Sequence, residues 1–178
     1  MRVRWSLIVA TALFLVASPL SVDTYNTLNQ RTFLDLLLKG NPYHYALGTS
    51  VEFLGQTWGL DWPYPPLTIA LDLAAWMAYR LVGSEPLYQF LFKLPLFLSA
   101  VITFFILERL ERTCRSEKPR VMWADLYILN PAVLLLGSIA GGFEIIMTMF
   151  LLLAYTYYQK SQLVASGLLL GLAIALRL

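Results

Sequence analysis

The chain has 178 residues, 58% of them hydrophobic and 13% charged, with a formal net charge of +2. An apolar share that high, delivered in long blocks, marks a membrane protein rather than a soluble domain. The small net charge, with no basic patch interleaved with aromatics, argues against nucleic acid as a partner; a lone Cys114 excludes an intrachain disulfide or a cysteine zinc site, and a lone His44 excludes a histidine-rich metal site.

Arg2 and Arg4 precede an apolar run over residues 7–20. The run reads either as a signal peptide, with Val16-Ala17-Ser18 as a weak cleavage site, or as a first transmembrane helix over residues 5–20 whose arginines keep its N-terminus in the cytoplasm. The apolar blocks downstream favour the helix. Residues 26–38 mix Leu28, Phe33, Leu34, Leu36, Leu37 and Leu38 with Asn29, Gln30, Arg31 and Asp35, the make-up of an amphipathic helix lying in the interface. Gly40 ends it and Pro42 blocks its continuation. Residues 49–59 have weak periodicity and receive no assignment. Pro63, Pro65 and Pro66 enforce an extended entry to the next helix, which begins near Pro66, where a first-turn proline is tolerated.

Residues 67–82 are apolar but interrupted by Asp72 and Arg80. After Gly83-Ser84-Glu85-Pro86 comes a cleaner run over 87–107, then a loop over 108–120 carrying Arg109, Arg112, Arg115, Lys118 and Arg120, then apolar runs over 121–139, 143–158 and 163–178. If residues 67–82 spanned the membrane, the basic loop would fall outside, against the positive-inside rule. A charge at the bilayer centre also costs about 2.5–3.5 kcal/mol on insertion scales. Residues 67–82 therefore read as a surface or re-entrant helix. Residues 21–86 become one external region and residues 87–178 further spans. The expected fold is an all-α polytopic membrane bundle with an external loop carrying juxtamembrane helices. Because the chain stops on Ala175-Leu176-Arg177-Leu178 inside an apolar run, it is expected to be the N-terminal part of a longer protein, one transmembrane module over residues 1–178.

The polar stretch over residues 21–66 holds most residues with chemical potential. Asp23 follows the first span directly. Partial desolvation by lipid and protein raises a carboxyl pKa there and makes it a better general base; equally, Asp is a favoured helix N-cap, and spacing alone favours the cap. Asp61 lies between Trp58 and Trp62, which fits a turn anchored by interfacial tryptophans or a sugar site, with aromatic faces on C–H surfaces and a carboxylate accepting hydroxyl protons. His44, between Tyr43 and Tyr45, fits a polar contact to a phosphate or sugar, or an ordinary interfacial histidine. Asn130-Pro131 and the glycines at 137, 141 and 142 fit a proline kink and a glycine turn. Glu144 is expected at the outer mouth with Asp23, and Arg177 near the outer end of the last segment, where a lipid-linked phosphate would lie. Lys93, Asp125 and Arg177 are charges within spans, hence functional candidates. The basic loop reads as a topology signal and a contact to anionic lipid.

Asp23 after the first span, Gly40-Asn41-Pro42-Tyr43 downstream, and Trp58-Gly59-Leu60-Asp61 running into Tyr64-Pro65-Pro66-Leu67-Thr68 together resemble the GT-C fold glycosyltransferases, which use polyprenyl-phosphate-linked sugars. The block over residues 58–68 looks most like that of the glucosyltransferases extending dolichol-linked oligosaccharides, with Trp62-Pro63 inserted where those read Asp-Tyr-Pro-Pro; mannosyltransferase-like members remain open. Leu129-Asn130-Pro131 followed by Gly142-Phe143-Glu144 is similar to the family's Asn-Pro…Gly-Gln-Phe-Asp segment, with Gly for Gln and Glu for Asp.

The resemblance implies an inverting hexosyltransferase, of the dolichyl-phosphate-glucose or -mannose type, working on the external or lumenal face. Asp23 matches the catalytic base, and Trp58, Asp61, Tyr64, His44, Glu144 and Arg177 stand as substrate-binding candidates. The expected partners are membrane lipid, a polyprenyl-phosphate sugar donor and a glycan, lipid or protein acceptor, with no metal or other cofactor. The expected location is multi-pass in a cell membrane or endoplasmic reticulum membrane, and the chain without its downstream part is expected to be inactive. Two other classes compete: a polytopic transporter, whose charges and broken helices would look similar, and a non-catalytic assembly subunit of glycan synthesis.

Overall fold

A computed structural model describes residues 4–21, 25–40, 49–59, 66–114 and 122–176. Helices α1 (Trp5–Leu20) and α2 (Tyr25–Leu37) lead to a hairpin of β1 (Ser50–Phe53) and β2 (Gln56–Gly59). Next come α3 (Pro66–Val82), α4 (Glu85–Cys114), α5 (Trp123–Ile128) and α6 (Pro131–Leu135). A π-helical turn over Leu136–Ala140 then passes into α7 (Glu144–Gln159) and α8 (Leu163–Ala175). Among the described residues one helix, Glu85–Thr113, is long and apolar enough to cross a membrane; Trp5–Leu20, Pro131–Ala140 and Leu163–Ala175 are shorter apolar helical stretches. At 1.5 Å per residue α4 runs about 45 Å, enough to clear ~30 Å of hydrocarbon.

Helix α4 is the central element, and α1 lies antiparallel against it. Ser6, Ala10, Phe14 and Ser18 recur every fourth residue and make one buried stripe. Phe14 stacks on Phe97, with centroids 4.3 Å apart and planes 8° apart, and Ala10 and Ala100 sit in the same core cluster with Phe104, Ala124, Ile128 and Ile145. At one end Arg4 pairs with Glu108 and lies 3.6 Å from Asp125. At the other, the Ser18 hydroxyl donates to the Gln89 carbonyl at 3.4 Å, and Lys93 donates to the Ser21 hydroxyl. The chain thus leaves α1 and enters α4 at the same end of the bundle.

Residues 49–59 supply the departure from an all-α chain. The hairpin pairs Val51 with Trp58 and Glu52 with Thr57, and its two-residue turn places Leu54 at φ 53 and Gly55 at φ 72, the doubly left-handed geometry of a type I′ turn. Leucine is an unusual first residue for that turn, so the sequence carried no hairpin signal. Val51 packs with Phe33 and Leu36 of α2, so the hairpin lies on that helix.

Helix α3 doubles back on the first half of α4. Leu34 of α2, Ala75 and Trp76 of α3, and Tyr88 and Phe92 of α4 form one buried cluster. The run over 121–139, expected as one span, is divided instead. Pro131 has no N–H for a continuing ladder, and Asn130 Oδ1 accepts the Ala132 N–H at 2.8 Å, so a new helix starts with a capped, proline-bearing first turn. The π turn closes on Gly141, at φ 72. The runs over 143–158 and 163–178, expected as spans, form helices α7 and α8, and Leu176 returns to pack with Leu96, Ile146 and Met149.

Candidate active site

Asp23, His44, Asp61, Tyr64 and Arg177 lie outside the described residues. Of the expected site residues, Trp58 and Glu144 are described. Trp58 sits on β2, 46% exposed, opposite the buried Val51. Glu144 opens α7 as an exposed side chain, its Oε2 turned back over Gly142. The neighbouring Phe143 meets Phe92 of α4 edge-on, at 5.9 Å and 87°. Helix α7 therefore starts beside the half of α4 that faces the α1 exit. Leu176, the residue before Arg177, lies in a cluster that also takes in Leu67 and Leu71 of α3.

At that end α4 carries a polar line. Glu85, Gln89 and Lys93 recur every fourth residue, one face of the helix. Gln89 Nε2 donates to Glu85 Oε1 at 3.1 Å, and Lys93 Nζ donates to Gln89 Oε1 at 2.7 Å and to Ser21 Oγ. Lys93 is fully buried; a buried ammonium needs such acceptors to stay charged. Ser21 in turn donates to the Ser18 carbonyl at 2.8 Å. The line fixes the point where the chain leaves α1, two residues before Asp23.

A second polar group lies on the other side of Tyr88, where α2, α3 and α4 meet. The Tyr88 hydroxyl is 3.3 Å from the Thr27 carbonyl and 3.4 Å from Asp72 Oδ2. Asp72 is 1% exposed. Burial pushes its carboxyl up to about 7, with the Tyr88 hydroxyl pulling the other way. Asn29 and Gln30, expected on the polar face of an interface helix, are buried instead, because α2 is covered by the hairpin on one side and by α3 and α4 on the other. Around the rim Arg31 pairs with Glu85 and lies 5.1 Å from the Tyr79 ring centre, while Asp35 accepts from Trp76 Nε1 at 2.9 Å and sits 3.6 Å from Arg80.

Asp125 is accounted for differently. It takes a hydrogen bond from Ser6 and faces Arg4, at the end of the bundle opposite Lys93, where Glu111 also accepts the Trp123 N–H. It joins α5 to the start of α1, while Arg4 pairs in turn with Glu108 of α4. Among the described residues no group of three or more His, Cys, Asp or Glu side chains is disposed to hold a metal. Sequence reasoning missed Gln30, Tyr88 and Gln89. The signal available for Gln89 was its four-residue spacing from Glu85 and Lys93; for Gln30 and Tyr88 there was none short of the packing.

Comparison with known proteins gives the arrangement a family. No solved structure matches the chain. It is 33% identical, over 172 residues, to a protein of Mycolicibacterium smegmatis described as a polyprenol-phosphate-mannose-dependent alpha-(1-2)-phosphatidylinositol mannoside mannosyltransferase. The match takes in 89% of this chain and 36% of the relative, so the chain spans about a third of that protein's length. The family described as "Alpha-(1->6)-mannopyranosyltransferase, N-terminal domain" matches residues 2–178. The glycosyltransferase resemblance read from the motifs is borne out on its mannosyltransferase side, and the chain belongs to this mannopyranosyltransferase N-terminal domain family.

Proposed function

We propose that the full-length protein is a GT-C type membrane glycosyltransferase that moves a mannosyl residue from a polyprenyl-phosphate donor to an acceptor hydroxyl on the external face, with inversion. The family match along nearly the whole chain carries this reading. Mannose is favoured because the family description and the relative's name agree on it, and a glycolipid acceptor because that relative acts on a phosphatidylinositol mannoside. The external face is favoured by the basic loop over residues 108–120 and by the return of the chain to the α1 exit before α4 begins.

In this reading Asp23 takes the proton from the acceptor hydroxyl as its oxygen attacks the anomeric carbon. The bond from that carbon to the phosphate oxygen breaks, and polyprenyl phosphate leaves with the electron pair. A single displacement inverts the centre. Arg177 stabilises the charge growing on the leaving phosphate. Trp58, Asp61, Tyr64, His44 and Glu144 contact substrate, and no metal takes part. Lys93, itself bonded to Gln89, holds Ser21, two residues before Asp23 in the chain.

The test is Asp23→Asn in the full-length protein, assayed for transfer of labelled mannose from polyprenyl phosphate. Asn caps a helix about as well as Asp, so a capping role predicts normal turnover. Loss of a general base predicts a fall of roughly 10²–10⁴-fold with folding and donor binding kept. Near-normal turnover sinks the mechanism.

A further inference from the structure

The junction of α2, α3 and α4 holds polar atoms that its protein partners leave unserved. Asp72 Oδ1, Gln30 Nε2 and Gln30 Oε1 are buried and have no hydrogen-bond partner. Gln30 is fully buried, and it follows Thr27 by three residues and precedes Leu34 by four, so all three lie on one face of α2. That face meets Tyr88, through the Thr27 carbonyl and through the cluster containing Leu34. Asp72 meets Tyr88 from the α3 side. The tyrosine hydroxyl meets the Thr27 carbonyl and Asp72 Oδ2, which leaves Asp72 Oδ1 and both polar atoms of Gln30 unserved.

Buried polar atoms are nearly always paired, and those left unpaired call for a ligand, an ordered water or a cost in stability. The chemistry here selects among ligands. Burial favours the neutral form of the Asp72 carboxyl, so the group offers no fixed charge to select an ionic ligand. A metal ion would need more carboxylates than the one present. What remains is a neutral group that both donates and accepts. An amide offering both its donor and its acceptor, beside a carboxyl oxygen and a phenol, is the set that recognises adjacent hydroxyls. The Tyr88, Phe92 and Tyr79 rings supply aromatic surface around it, with centroids 5.9 and 5.6 Å from that of Tyr88.

We propose that Gln30, Asp72 and Tyr88 form a binding site for the vicinal hydroxyls of a hexosyl unit, in the donor or in the acceptor glycan. The proposal rests on the glycosyltransferase reading and adds to it a recognition site inside the α2–α3–α4 junction, built from residues to which no role has been given.

The experiment uses the full-length protein with Gln30→Leu, and separately Asp72→Leu, changes that remove the polar atoms while keeping bulk. Donor and acceptor KM are measured with polyprenyl-phosphate mannose and a mannosylated glycolipid, alongside melting temperature. A site for the donor sugar predicts a donor KM raised on the order of 10–100-fold with acceptor KM unchanged; a site for the acceptor sugar predicts the reverse. Both variants should melt no lower than the wild type, because an unserved buried polar group has been removed. Both KM values within twofold of wild type, with melting temperature raised, would mean that the atoms serve internal water only and would overturn the site. If the wild type transfers no sugar, the glycosyltransferase reading fails first. The site is then read from the extra thermal shift that mannose-bearing polyprenyl phosphate gives over the sugarless lipid. Loss of that increment in Gln30→Leu supports the site; an equal increment in both proteins, or none in either, overturns it.

Discussion

Gly141→Ala is expected to be among the most damaging single-methyl changes available to this bundle, and two separable effects make it so. At φ 72 the backbone is left-handed, which costs an L-residue roughly 1–2 kcal/mol. The added Cβ would also fall 2.5 Å from Phe92 Cε1, with Cδ1 and Cζ at 3.4 Å. Phe92 is 3% exposed and is held between Tyr88 and Phe143, so its ring must move within a packed core, at about 1–3 kcal/mol. The sum, about 2–5 kcal/mol, is a large part of a typical ~5–15 kcal/mol stability. Gly83 provides the control. Its φ is 69, but nothing lies within 4 Å of a Cβ there, so Gly83→Ala carries the backbone cost alone. Melting the purified full-length protein in detergent should show Gly141→Ala losing clearly more than Gly83→Ala. Phe92→Leu should cost less in the Gly141→Ala background than alone, a coupling of about 0.5–3 kcal/mol. Equal losses for the two glycines, with no coupling to Phe92, would refute the contact on which the placement of α7 and Glu144 depends.

Two further outcomes are expected. Cys114, the last residue of α4, should react with a membrane-impermeant thiol reagent in right-side-out vesicles only after permeabilisation, since the adjoining loop is basic and Arg4 meets Glu108 near the same helix end; labelling in intact vesicles would overturn the layout. Asp72, in a helix that the charge pattern argues lies outside the spans, keeps in the folded state a proton that the unfolded chain releases, its carboxyl being raised from 3.8 to about 7. Its contribution to stability is full below pH 3.8 and is lost as pH rises to about 7, so the wild-type melting temperature should fall between pH 5 and pH 8 more than that of Asp72→Asn, and parallel falls would refute the burial.

The parts of the fold that could be read in the sequence are those whose signal is local. Apolar runs bounded by Gly, Pro or charge mark α1, α3, α7 and α8, because a helix pattern repeats within a few turns. The break at Asn130-Pro131 was also visible as a kink, since a proline without an N–H acts wherever it stands. The hairpin was not visible. Its turn uses Leu54 where Asn or Asp would announce it, and its apolar residue Val51 gains meaning only from Phe33 and Leu36, which lie on a different element. Burial of Asn29 and Gln30 escaped for the same reason, as an amphipathic pattern shows which face is polar and not whether a neighbour covers that face.

The charges of α3 show how one inference can rest on two different physical causes. Asp72 and Arg80 both argued against a plain span, and on insertion scales they weigh alike. In the fold they are unlike. Arg80 is about half exposed, with Asp35 at 3.6 Å and the Trp76 ring beneath it at 5.9 Å, a position at the rim where a charge is tolerated. Asp72 lies two turns deeper, with Tyr88 as its hydrogen-bonding neighbour, and burial favours its neutral form. A helix that merely rested on a surface would have needed only the first arrangement. The second requires α2 and α4 to close over the carboxyl, and this is the part of α3 at which the proposed sugar site lies.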